Sequence, residues 1–173
     1  MYSIVAEKPG DISVLQKKSI DFSEPKSNEV LIKNRAIGVN FIDIYFRAGL
    51  YPWPVDTDLV LGSEGAGEVE AVGPDVKNFK IGDRVAYAQP NNAYSTHRII
   101  SEDLVVSIPD GISYDQAAAS ILKGLTVKYL LCDSFNLQSD HEVLFHAAAG
   151  GVGLIAGQWI NCLLYTSDAA DDL

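Results

Sequence analysis

The stretch Glu142-Val143-Leu144-Phe145-His146-Ala147-Ala148-Ala149-Gly150-Gly151-Val152-Gly153 decides how the rest of the chain is read. Its first five residues predict a buried strand, and residues 152–160 predict a helix. Between them lies Ala-x-Gly-x-x-Gly, an alanine-first form of the Gly-x-Gly-x-x-Gly fingerprint. The order strand, glycine turn, helix suits a diphosphate. Gly150 lets the phosphates reach the backbone, and Gly153 lets helix and strand pack closely. The first-turn N–H groups of the helix, with Gly151 and Val152 among them, face the negative charge. The plain alternative is a small-residue turn with no ligand; the strand–loop–helix context favours the nucleotide. The segment is expected to be the first βα of an incomplete Rossmann-type unit.

Working back from the loop, Ser113-Tyr114-Asp115-Gln116 fits a capping box and starts an Ala- and Leu-rich helix reaching about Cys132. Lys123-Gly124 is expected to interrupt that helix. Before about residue 110 the chain reads as short strands separated by Gly and Pro, at 29–39, 65–73, 80–88, 94–100 and 104–108. That pattern predicts a small β-barrel or sandwich. The fold class is therefore mixed, an all-β part followed by the start of an α/β part.

The 173 residues are 47% hydrophobic and 21% charged, which reads as a soluble globular chain. A formal net charge of -10, with no basic run, argues against nucleic acid. Cys132 and Cys162 are too few for a disulfide framework and fit no metal spacing, so a cytoplasmic location is expected. No signal peptide is read at the N-terminus, and no apolar stretch approaches the roughly 20 residues of a membrane span.

Three further segments carry polar groups in apolar surroundings: Asn40-Phe41-Ile42-Asp43-Ile44-Tyr45 with Tyr51 downstream, Leu61-Gly62-Ser63-Glu64-Gly65, and Lys123-Gly124-Leu125-Thr126. Taken singly, each has a bland reading. The first would be an Asn cap, a surface Asp43 and rim tyrosines; the second a bend enclosing Glu64; the third a helix break with a snorkelling lysine. Taken in order with the glycine loop, they resemble the medium-chain dehydrogenase/reductase superfamily, and more closely its zinc-independent, ζ-crystallin-like quinone oxidoreductases. The matching stretches include Ala36-Ile37-Gly38-Val39-Asn40-Phe41-Ile42-Asp43, Gly82-Asp83-Arg84-Val85-Ala86, Ser120-Ile121-Leu122-Lys123-Gly124-Leu125-Thr126 and Phe145-His146-Ala147-Ala148-Ala149-Gly150-Gly151-Val152-Gly153.

That resemblance implies a GroES-like β-barrel domain over 1–112 and the start of an NADPH-binding Rossmann domain over 113–161. It implies hydride transfer from NADPH to a quinone. Asn40, Asp43, Tyr45 and Tyr51 are the expected catalytic residues. Asn40, Phe41, Ile42, Asp43, Tyr45, Lys123, Thr126, Gly150, Gly151, Val152 and Gly153 are the expected cofactor contacts. Where relatives carry a cofactor-touching Tyr before the position of Tyr129, this chain has Lys128. Zinc relatives place a Cys near the start of the Asn40 segment and a His in Gly-His-Glu. Here the triplet is Gly62-Ser63-Glu64, and residues 40–45 lack Cys, so no metal is expected. The alternatives are an enal or enoyl-thioester reductase on the same scaffold, a non-catalytic binding or structural protein, and an inactive half-enzyme.

Residues 162–173, Cys-Leu-Leu-Tyr-Thr-Ser-Asp-Ala-Ala-Asp-Asp-Leu, leave the family pattern and resemble translated sequencing-adapter DNA. They are expected to be a non-native tail on a fragment. Family dimers pair mainly through the later part of the nucleotide domain. A homodimer is therefore expected of the full-length parent and not of this fragment.

Overall fold

A computed structural model describes residues 1–164; most of the expected non-native tail, 165–173, lies outside the described residues. The described chain falls into two compact units, residues 1–121 and residues from 122 on.

The first unit is built on the long strand β3 (Glu29–Gly38), whose first half is buried through Val30, Leu31 and Ile32. The earlier β1 (Tyr2–Ala6) and β2 (Leu15–Ser19) join β4 (Leu59–Val60) in a three-stranded antiparallel sheet, order β2-β1-β4. β3 centres a second sheet with β5 (Glu64–Val72), β6 (Arg84–Ala88), β7 (His97–Ser101) and β8 (Val105–Ser107), order β7-β3-β5-β6-β8. All its pairs are antiparallel, and the β3–β5 ladder slips between Leu31 and Ile32 and between Asn34 and Ala36. An isolated antiparallel bridge pairs Ser3 of β1 with Ser95, which lies just before β7. The main core cluster, Val30, Ile32, Val69, Val85, Tyr87, Ala93, Ile100 and Val105, is supplied by the five-stranded sheet and Ala93. Each fully buried Val or Ile among these stabilises the unit by about 1.5–3 kcal/mol.

The expected strands form in part: 80–83 lies outside β6, 94–96 lies outside β7, and 104 and 108 lie outside β8. The capping box also forms. The Ser113 N–H donates to Gln116 Oε1 at 2.9 Å and the Gln116 N–H to Ser113 Oγ at 3.1 Å. They start α2 (Tyr114–Lys128), whose first turns place Ala117 and Ala118 against Ala66, Ala86 and Ile108. The expected interruption at Lys123-Gly124 does not occur, because α2 runs through it. One helical glycine costs only about 1 kcal/mol, too little to break a helix with good formers on both sides. The change comes later, where Tyr129–Ser134 widens into a π-helical turn.

In the second unit α3 (Gly151–Leu164) packs Ala156 with Val127, Leu131 and Leu137, and with the flanks of Phe145, Val152 and Trp159. The buried strand expected over 142–146 is not formed. Val143 is 39% and Leu144 86% exposed. A parallel strand is buried only when neighbours pair with its edges and helices cover both faces. No strand among the described residues pairs with this one.

Candidate active site

One candidate site lies in the first unit, around α1 (Phe41–Arg47). Asn40 is its N-cap, with extended backbone (φ -134°, ψ 156°), and Asp43 lies in its first turn. A carboxylate there meets the positive end of the helix. Asp43 is not the surface residue of the bland reading: it is 3% exposed. Its Oδ2 accepts from the Asn40 N–H and from the Tyr94 hydroxyl, each at 2.9 Å, and its Oδ1 accepts from the Ser63 hydroxyl at 2.7 Å. Burying a carboxylate is costly unless its oxygens are satisfied, and three donors from three segments provide that. The Asn40 side-chain amide donates to Glu64 Oε1 at 2.8 Å, and Glu64 is fully buried at the start of β5.

Gly62 explains how Tyr94 reaches Asp43. It has φ +91°, and the Tyr94 ring lies where a Cβ on residue 62 would sit. Any other residue would carry both a left-handed strain and a collision with that ring. Burial, and next the charge of Asp43 and the hydrogen bond to it, hold the Tyr94 hydroxyl well above its ordinary value of 10.0. Tyr94 also borders an open pocket of about 450 Å³ lined by Ile4, Asn34, Ile37, Val39 and Thr96.

On the outer side of α1 the aromatic residues meet edge to face. Tyr45 and Tyr51 are 5.7 Å apart at 69°, and Phe46 and Tyr51 5.4 Å apart at 80°. The Trp53 indole N–H donates to the Phe46 carbonyl at 2.6 Å and pins the return of the chain. Phe41 (76% exposed), Tyr45 and Tyr51 leave apolar surface open, while Ile42 is half-buried. Contiguous exposed apolar surface is the usual sign of a binding face.

A second candidate site lies within the second unit. Ala147 opens the loop with a left-handed φ of +58°. Its carbonyl accepts from the Gly150 N–H at 2.9 Å, and the Gly150 carbonyl takes the first helical bond, from Leu154, at 2.9 Å. A Cβ on Gly153 would stand 2.5 Å from the Ala148 carbonyl oxygen and 2.6 Å from that of Ala147. Only glycine lets the first turn settle on the loop. No backbone carbonyl among the described residues outside α3 accepts from Gly151, Val152 or Gly153, so these N–H groups form a cradle suited to an anion. The Lys123 stem crosses the loop, its Cδ and Cε 3.0 Å from where a Gly151 Cβ would sit. The Thr126 hydroxyl is spent inside α2, donating to the Leu122 carbonyl at 2.8 Å. The Lys128 ammonium is held by both carboxylate oxygens of Asp133 at 2.7 Å.

The structure thus gathers Asn40 and Asp43 into one network, Tyr45 and Tyr51 into one aromatic face, and Lys123 with Gly150, Gly151, Val152 and Gly153 around one helix start. Ser63 and Glu64 stood in a segment already singled out. Tyr94 was missed, because nothing in its spacing ties it to Asp43, 51 residues away. Among the described residues no group of three or more His, Cys, Asp or Glu is arranged to hold a metal.

Residues 26–133 match the alcohol dehydrogenase GroES-like domain. The chain is 54% identical over 155 residues to a quinone oxidoreductase of Pseudomonas aeruginosa, covering 89% of this chain and 47% of that protein. It is 51% identical over 157 residues to quinone oxidoreductase 1 of Escherichia coli, covering 90% and 48%. The crystal structure of Escherichia coli quinone oxidoreductase complexed with NADPH superposes with a TM-score of 0.89 at 49% identity, over 95% of this chain and 50% of that one. The chain spans about half the length of the curated relatives it matches. With its family model, fold and relatives in agreement, the chain belongs to the alcohol dehydrogenase GroES-like domain family of the medium-chain dehydrogenase/reductase superfamily.

Proposed function

We propose that the protein carrying this chain transfers a hydride from NADPH to a quinone without zinc. In this reading residues 1–112 form the GroES-like catalytic domain and 113–161 open the nucleotide domain. The observation that supports it best is the Gly153 cradle, in a chain 49% identical to a quinone oxidoreductase solved with NADPH. NADPH, when bound, supplies the hydride. The protein's part is position, dryness and a few hydrogen bonds. The N–H groups of Gly151, Val152 and Gly153, with Gly150, hold the diphosphate, and Lys123 adds a cation there. Thr126 borders the cofactor through its backbone and methyl group, since its hydroxyl is already committed. Asn40, Phe41, Ile42 and Asp43 border the nicotinamide. Tyr45 and Tyr51 offer aromatic edges to a flat acceptor, and Tyr45 also touches the cofactor. Ser63, the counterpart of the histidine in zinc relatives, donates to Asp43, so chemistry through a zinc ion is not part of the reading.

No helix among the described residues is long and apolar enough to cross a membrane. We place the protein in the cytoplasm, with a small-molecule quinone as its partner. We assign the homodimer to the full-length parent alone.

The test is NADPH oxidation by the product of the complete reading frame at the source locus, with quinones and enals as acceptors. Quinone-dependent oxidation is expected; oxidation with enals alone assigns the scaffold's enal chemistry instead, and none with quinones refutes the proposal. The 173-residue chain itself is expected to show little turnover.

A further inference from the structure

Asp43 receives donors from three separate places in the sequence: its own helix cap, Ser63 and Tyr94. Gly62 and Ser63 are adjacent and serve the same carboxylate in different ways. Gly62 leaves room for the Tyr94 ring, and Ser63 donates its hydroxyl directly. The carboxylate fixed in this way accepts from the Asn40 N–H and holds the first turn of α1. That turn carries Asn40, whose side chain is tied to Glu64, and leads to Phe41 and Tyr45.

We propose that Tyr94 and Ser63 are positioning residues of the reductase site, acting through Asp43 to hold Asn40 and the α1 face in register. The proposal rests on the quinone reductase reading. Neither hydroxyl needs to touch a substrate, since each is committed to the carboxylate. Removing one leaves a buried charge short of a donor and loosens the turn it holds, while the diphosphate cradle is built from other residues.

Tyr94→Phe keeps the ring over Gly62 and removes only the hydroxyl. In the full-length protein it is expected to lower kcat with a quinone by about 10-fold, the scale of one hydrogen bond to a charged group, with the KM for NADPH little changed. Ser63→Ala is expected to do the same, and Ser63→Thr, which restores a hydroxyl, to recover most of the loss. In an Asp43→Asn background, Tyr94→Phe should add little further, because the path through Asp43 is already cut. A kcat unchanged by Tyr94→Phe, or a full additional loss in the Asp43→Asn background, overturns the proposal.

A substrate-free measurement accompanies these. Tyrosinate absorbance of the 173-residue chain should show two late-ionising tyrosines, since burial also raises Tyr87; one of the two disappears in Tyr94→Phe and ionises at lower pH in Asp43→Asn. A late transition that is lost in Tyr94→Phe yet unmoved by Asp43→Asn also overturns the proposal. If the unaltered full-length protein reduces no quinone, the functional reading fails, and the positioning role falls with it. If it reduces quinones while the variants behave like it, only the positioning role fails.

Discussion

The two units treat their extended segments differently. In the first, each strand of the five-stranded sheet has a partner, and even the carboxylates Asp43 and Glu64 are buried against donors. In the second, residues 142–146 lead into the glycine loop without a partner strand among the described residues, and Leu144 stands 86% exposed. Yet the loop and the start of α3 take a complete form. A glycine turn and a helix N-terminus are local structures whose contacts lie within a few residues, whereas a strand is defined by what lies beside it.

The largest effect that would break this contrast comes from one kind of deletion made in both units. Ile32→Ala should cost about 2–5 kcal/mol in denaturant unfolding, as expected for a filled core. Leu144→Ala should change stability by no more than about 0.5 kcal/mol. Equal losses would mean that 142–146 is packed in solution.

Next come two glycines. Gly62→Ala should destabilise by about 1–3 kcal/mol, since it combines a left-handed backbone with a collision against Tyr94. Gly124→Ala should stabilise by up to about 1 kcal/mol, because α2 is helical there and nothing lies within 4 Å of the added methyl. Thermal unfolding of both variants decides this.

The pH dependence should also divide. The folded chain holds the Tyr94 proton more tightly than the unfolded chain does. That contribution is intact below pH 10 and shrinks as pH rises beyond it. Burial pushes the His97 imidazole below its ordinary 6.5, against the pull of Glu70. The unfolded chain then binds that proton more readily, so this contribution is intact above pH 6.5 and is lost as pH falls below it. Both groups lie in the first unit. Melting temperatures across pH 5–11 should therefore bend at both ends, and Tyr94→Phe should lessen the alkaline limb without abolishing it, since burial holds the Tyr87 hydroxyl up as well, and leave the acid limb unchanged.

The smallest effect is expected at the loop. Ala147→Gly removes a left-handed alanine and adds chain entropy to the unfolded state, two terms of about 1 kcal/mol that nearly cancel. A clear loss of stability would show that the Ala147 methyl makes contacts of its own.

What could be read from residues alone follows the same division. The Ser113–Gln116 box, the glycine loop and the helix after it were legible, because each depends on neighbours in sequence. The strand at 142–146 has a strand's composition, but composition does not supply a partner. Taken singly, the Asn40 segment left Asp43 on the surface, because its donors Ser63 and Tyr94 arrive from 20 and 51 positions away; only the family resemblance placed it in a site. β1 and β2 went unread: Lys17 and Lys18 sit in a largely exposed β2, which gives no apolar alternation to detect. The Asn40 cap was seen, but its side-chain bond to Glu64 depends on β5 lying beside it.

The seating of the Tyr94 ring over Gly62 has a consequence for substitution at neighbouring positions. Positions 62, 63 and 94 are not free to drift singly. A larger residue at 62 evicts the ring, and a ring lost from 94 leaves Asp43 a donor short. A side chain other than a hydroxyl at 63 disturbs the same carboxylate. The three positions are coupled through one carboxylate, and a change at one is expected to call for a compensating change at another.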